Sequence, residues 1–158
     1  MSIIEVLNNT IIKDVMLAPA PFIGEDDNFS VAQEKFVENH LTHICVVDPD
    51  KKLVGIISQK YLYKAQSPRK VIDEEIEYNP DIIIDGNSFY SREVLDSYIL
   101  SSIMNHDPFT LKPDQSLGEA VEIMSKKHLG CIPVVDDQKV LQGILTDQLI
   151  VKFFATFL

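Results

Sequence analysis

The chain has 158 residues, 46% of them in the broad hydrophobic set, enough for one compact domain or two small ones sharing a core, which excludes intrinsic disorder. Its 14 Lys and Arg against 24 Asp and Glu leave a formal charge of −10, so nucleic acid and membrane surfaces are poor partners; local backbone N–H groups can still hold an anionic small molecule. Two cysteines, Cys45 and Cys131, with no Cys-x-x-Cys and no leader-like N-terminus, point away from a disulfide framework and toward a reducing, cytoplasmic compartment.

In chain order, the sequence predicts an N-terminal helix, then a strand near Phe22 and Ile23 and a helix over Phe29–Asn39. A strand over 44–47, a turn over 48–51 containing Pro49 and a strand over Leu53–Ser58 follow, then a helix from Gln59 that ends before Pro68. Residues 64–100 differ in character: an acidic run over 73–77, a short strand over 81–85, a turn over 85–88 and a helical lead over 94–100. Beyond them, a strand is expected over 109–111. Ser116-x-x-Glu119 is a capping box opening a helix whose apolar residues Leu117, Ala120, Val121 and Met124 recur at i, i+3, i+4 and i+7. Gly130 is assigned the left-handed cap of that helix. Strands over Cys131–Val135 and 140–145 flank a turn, and Thr146 caps a last helix, read as buried, that carries Leu149, Ile150, Phe153 and Phe154.

The chain repeats itself at an offset of 88 residues. Met16/Met104, Ala32/Ala120, His40/His128, Val46/Val134, Val47/Val135, Asp48/Asp136, Gly55/Gly143 and Ile56/Ile144 are among 14 identities in 47 ungapped positions, where unrelated stretches share roughly three. Two copies of a β-α-β-β-α unit are therefore present. A small sheet with helices on one side leaves an apolar face, so the copies are expected to pack through their sheets with pseudo-two-fold symmetry in an α/β (α+β) fold.

The order of Asp14-Val15-Met16, an amphipathic helix, His43-Ile44-Cys45-Val46-Val47-Asp48 and Gly55-Ile56-Ile57-Ser58 resembles a CBS (cystathionine β-synthase) domain. The second copy, with Pro113-Asp114-Gln115-Ser116-Leu117, Ile132-Pro133-Val134-Val135-Asp136 and Gly143-Ile144-Leu145-Thr146, resembles it further. Together they look like a tandem CBS pair, or Bateman module: residues 1–63 as the first repeat with its N-terminal helix, 64–100 as a partly ordered inter-repeat segment, and 101–158 as the second repeat.

The resemblance implies an adenosine-containing ligand in a cleft between the copies: AMP, ADP, ATP or S-adenosylmethionine, with no cofactor required. The residues it points to are His43, Ser58, Tyr61, Thr110, Ile132, Pro133, Thr146 and Asp147. Ser58 and Thr146 each end a strand and cap a helix whose free N–H groups can receive phosphate. Relatives carry a ribose-binding aspartate three positions after that hydroxyl; here those positions are Tyr61 and Leu149. Tyr61 is open to base stacking or to core packing. His43 is open to a phosphate-facing imidazolium or to a part-buried histidine satisfied by a carbonyl. Thr110, Ile132 and Pro133 are open to lining a base pocket or to core packing. Asp147 reads as a first-turn acid complementing the helix dipole, with a displaced ribose contact as the alternative.

His40, His43 and Cys45, with His128 and Cys131, match no closed zinc spacing, and no metal site is assigned. A glycine-rich phosphate loop, a nucleophile elbow and a His-Glu-x-x-His helix are absent from the sequence, so no enzyme activity is expected. The sequence thus predicts a non-catalytic regulatory module, homodimeric and with an unidentified protein partner; its rival is a constitutive interaction module that no longer binds nucleotide.

Overall fold

Asn28 and Ser116 open the two long helices of the repeats. Asn28 Oδ1 accepts from the N–H of Val31 at 3.2 Å and Ser116 Oγ from that of Glu119 at 3.1 Å, each satisfying a first-turn donor that the helix itself leaves unpaired. The computed structural model describes residues 2–60, 82–85, 88–91, 100 and 103–158, with only the backbone of 82–85 and 88–91 characterised. The first repeat comprises β1 (Phe22–Gly24), α2 (Phe29–Asn39), β2 (His43–Val47) and β3 (Leu53–Ser58), preceded by α1 (Ile3–Asn9). A helical start at Gln59 and Lys60 follows; the rest of that expected helix lies outside the described residues. A hairpin of β4 (Ile82–Asp85) and β5 (Ser88–Ser91) occupies the inter-repeat segment. The second repeat comprises α3 (Leu117–Lys127), β6 (Cys131–Val135), β7 (Leu141–Thr146) and α4 (Asp147–Ala155). The fold is a mixed α/β arrangement of two β-α-β-β-α repeats with open sheets.

The chain forms two compact units. The first gathers Met1–Ala20, Val47–Val54 and Asp107–Leu158; the second gathers Pro21–Val46 and Gly55–His106. In the first unit β6 and β7 pair antiparallel, Cys131 opposite Thr146 and Ile132 opposite Leu145. Leu111 extends this ladder beside β6, its N–H donating to Pro133 O at 3.0 Å. Leu17 extends it beside β7, exchanging bonds of 2.9 and 3.0 Å with Ile144. Ile12, Leu111, Leu117, Ile132 and Leu145 fill the core beneath the ladder, and α1, opened by a complete capping box between Ser2 and Glu5, packs against α3. In the second unit the strand order is β1-β2-β3, Asn105 bonds reciprocally with Ile56 beside β3, and Phe29, Ile23, Ile44 and Ile57 are fully buried.

Leu17 and Asn105 are equivalent under the repeat, as are Ile144 and Ile56. Each repeat's lead-in segment therefore completes the ladder of the other repeat's hairpin, and Met1–Ala20 clusters with the second repeat. The repeat extends to backbone strain as well. His40, Lys51, His128 and Lys139 are the non-glycine residues with positive φ among those described, at 51°, 64°, 55° and 64°, two pairs at the 88-residue offset.

Three expectations need correction. The left-handed residue that ends α3 is His128 rather than Gly130: the helix stops at Lys127, histidine is among the side chains that tolerate this region, and the N–H of Leu129 closes back on Met124 O at 3.0 Å. The capping box of α3 shows the bond from Glu119 to Ser116, whereas both bonds are formed in α1. The last helix is not buried: α4 has no fully buried residue, since only its Leu149, Ile150 and Phe153 side turns onto the core. The acidic run over 73–77 lies outside the described residues, as does the helical lead over 94–100 except for buried Leu100.

Candidate functional site

The second repeat brings five of the candidate residues into one unit. Thr146 ends β7 in an extended conformation opposite Cys131, and its hydroxyl caps α4 by accepting from the N–H of Leu149 at 3.2 Å. Asp147 follows as the first helical residue and is exposed. Ile132 and Pro133 sit buried on β6, and half-buried Thr110 lies one residue before the Leu111 bridge to that strand.

The N–H groups expected to be free at this helix end are engaged. The N–H of Asp147 donates to Gly130 O at 3.1 Å, that of Gln148 to Asp147 Oδ1 at 2.7 Å, and that of Leu149 to Thr146 Oγ1. A helix terminus attracts anions through unpaired donors and its positive dipole end; here the chain's own oxygens have taken the donors and a carboxylate sits on the dipole. Leu149, at the place of the ribose-binding aspartate, packs against the core.

Cys131 lies across the ladder from Thr146. Burial, together with the nearby Asp147 charge, pushes its thiol up to about 12, so it stays protonated and unreactive at neutral pH. Cys45 is likewise buried and forms no disulfide.

The first repeat's counterparts lie in the other unit. His43 opens β2 half-buried, its Nδ1 2.9 Å from Thr42 Oγ1, and half-buried Ser58 ends β3. The N–H of Gln59 donates to Thr42 O at 2.8 Å, as that of Asp147 does to Gly130 O at the equivalent positions. His43 corresponds to Cys131 and Gln59 to Asp147 at the 88-residue offset. The two turns thus share their backbone bond and differ in charge. Tyr61 lies outside the described residues. His40 and His128 are exposed helix-end residues, and no cluster of three metal-ligating side chains occurs among the described residues.

Two further surface features were not anticipated from the sequence. Ile11, Lys13, Lys112, Asp114, Asp136 and Asp137 line a depression of about 470 Å³, in which Lys112 reaches Asp136 O at 2.6 Å and Asp137 at 3.2 Å. An apolar groove of about 560 Å³ runs between α1 and α4, lined by Ile3, Val6, Val151, Phe154 and Phe157. Its sequence signal was an apolar stripe wider than one buried face at 147–158. No helix among the described residues is long and apolar enough to cross a membrane.

Two tandem β-α-β-β-α repeats with exchanged lead-in segments, each ending its hairpin in a hydroxyl residue, define a paired α/β module. The CBS domain family matches residues 12–68 and 100–156, and the chain belongs to that family. An uncharacterized protein of Methanocaldococcus jannaschii is 28% identical over 148 residues, covering 86% of this chain and 86% of that protein. The homoserine O-acetyltransferase of Methanohalobium evestigatum is 24% identical over 96% of this chain, which spans only 25% of that enzyme; the inosine-5'-monophosphate dehydrogenase of Nitrosopumilus maritimus is likewise spanned over 22% of its length. A CBS domain-containing protein of unknown function from Bacillus anthracis superposes with a TM-score of 0.74 at 21% identity, over 96% of this chain and 97% of that one. The CBS domain pair of protein MJ0100, in complex with 5′-methylthioadenosine and S-adenosyl-L-methionine, superposes at 0.69 with 23% identity, over 94% and 98% of the two chains. The protein CBSX2, in complex with AMP, does so at 0.69 with 19% identity, over 94% and 98%.

Proposed function

We propose that this CBS pair is a non-catalytic regulatory module whose two hydroxyl-bearing strand ends, at Ser58 and Thr146, contribute to binding an adenosine-type ligand. The observation that carries this reading is that both repeats end their hairpin in a hydroxyl residue followed by the same amide-to-carbonyl bond, Gln59 to Thr42 and Asp147 to Gly130, in a fold whose solved relatives hold AMP or adenosyl sulfur compounds. His43, Thr110, Ile132 and Pro133 complete the proposed ligand surfaces of their respective repeats. The ligand acts by binding one conformation of the pair better than another, which changes what a protein partner meets.

Thermal unfolding of the chain against AMP, ADP, ATP, adenosine and S-adenosylmethionine tests this. A ligand at a hundred times its dissociation constant adds roughly 2.7 kcal/mol, a shift of several degrees at this chain length. A flat panel overturns the ligand reading. Thr146→Ala and His43→Ala should each weaken a measured affinity by about 1–3 kcal/mol, and unchanged affinity in both removes these residues from the site.

A second reading, an interaction or dimerisation module without nucleotide binding, is favoured by the groove between α1 and α4. Ile3 and Val151 remain 63% and 68% exposed along it, apolar surface of the kind that marks a protein interface. On this reading nucleotides leave the melting temperature unchanged and the chain self-associates.

A further inference from the structure

We infer that Asp147 makes the second repeat's ligand surface exclude phosphate, so that an adenine nucleoside without phosphate, neutral or cationic, is what binds there. The inference rests on the ligand-binding reading above and specifies its chemistry. Three observations on α4 converge. The first three N–H groups of the helix are held by Gly130 O, Asp147 Oδ1 and Thr146 Oγ1, which leaves an incoming phosphate to displace existing bonds. The displaced oxygen would include a carboxylate, whose charge repels the phosphate at close range. Among the described residues no lysine, arginine or histidine pairs with Asp147 to cancel that charge, and the strand residue facing Thr146 is the neutral thiol Cys131.

The first repeat supplies an internal comparison. At the equivalent positions it carries Gln59 in place of Asp147 and His43 in place of Cys131, with the same amide-to-carbonyl bond closing the turn. An uncharged amide and an imidazole replace a carboxylate and a protonated thiol, so the anion-excluding character belongs to the second repeat and is written in a single side chain.

Substituting Asp147→Gln gives the second repeat the first repeat's residue at an exposed position. Binding of adenosine, S-adenosylmethionine and AMP would be followed in the full chain by methyl resonances of Ile132 and Leu149, which report on the second repeat. In the wild type, adenosine or S-adenosylmethionine should move these signals with AMP about tenfold or more weaker, and in Asp147→Gln the AMP deficit should close while adenosine affinity is unchanged. AMP binding as tightly as adenosine in the wild type overturns the inference and leaves the ligand-binding reading standing, as does a ratio unaltered by the substitution. Absence of any response to the three compounds in both proteins overturns the ligand-binding reading and the inference with it.

Discussion

Lys51 and Lys139 hold φ at 64° at the ends of two equivalent turns, each closed by a bond from the lysine N–H to an aspartate carbonyl, Asp48 O at 3.0 Å and Asp136 O at 3.1 Å. Holding a side chain in the left-handed region costs about 1–2 kcal/mol, and glycine returns about 0.4–1 kcal/mol of that through the freer unfolded chain. Lys139→Gly should therefore raise stability by roughly 0.5–1 kcal/mol, read from the urea midpoint at unchanged slope; a lower midpoint would show that the lysine stem makes a compensating contact. Cys131 supplies a pH prediction. Its thiol, raised to about 12, binds a proton more tightly in the folded than in the unfolded chain. The resulting stability is complete below the ordinary thiol range near pH 8.5 and is lost as pH climbs toward 12. Urea unfolding between pH 8 and 10.5 should show a steeper decline in the wild type than in Cys131→Ala, and parallel declines would remove the thiol as the cause. Neither effect was legible beforehand: the turns were, from Asp48 and Asp136 with Pro49, but no sequence rule places lysine at positive φ, and Cys131 gains its Asp147 neighbour only through the β6–β7 register.

At the scale of elements, glycine and methionine form a matched pair that the repeat alignment paired without explaining. A Cβ built on Gly143 would lie 2.7 Å from Met16 Sδ and 2.8 Å from Leu17 O, and one on Gly55 3.0 Å from Asn105 O. Only glycine lets the lead-in segments reach these strands. Gly143→Ala should cost about 1–3 kcal/mol. Shortening Met16 to alanine in the same chain should restore only part of this, because the Leu17 carbonyl is backbone and has no flexible end to move. Full rescue, measured in a double-mutant cycle, would show that the sulfur is the sole obstacle. The helices and hairpin strands were readable because caps and apolar period are local: α2, β3 and β6 fall on their predicted residues. The exchange of lead-in segments was not, since nothing in the local pattern of Met16 and Leu17 distinguishes pairing with β7 from pairing with β3. The N-cap role of Thr146 was legible from strand-end chemistry, whereas the occupation of the α4 amides depends on side-chain geometry that spacing alone leaves open.

For the whole molecule, the apolar groove of the first unit is the surface on which self-association can be tested. Phe153 turns toward the core, so a charge there would unfold the unit before it tested any interface, while Val151 and Phe157 face outward at 68% and 59% exposure. Two copies joined by a closed two-fold axis would bury these residues against each other, and a carboxylate introduced at Val151 would then be buried unpaired, a penalty of roughly 3–5 kcal/mol, more than a hundredfold in dissociation constant. Val37, 66% exposed on α2 in the second unit, is the matching control, equally apolar but outside the groove. Sedimentation equilibrium should find a concentration-dependent dimer for the wild type and for Val37→Asp, and a monomer for Val151→Asp, with the circular dichroism of all three alike. A wild type that stays monomeric at every concentration would overturn self-association through the groove, and equal loss of the dimer in both variants would trace association to bulk charge in a chain already at −10 rather than to this surface.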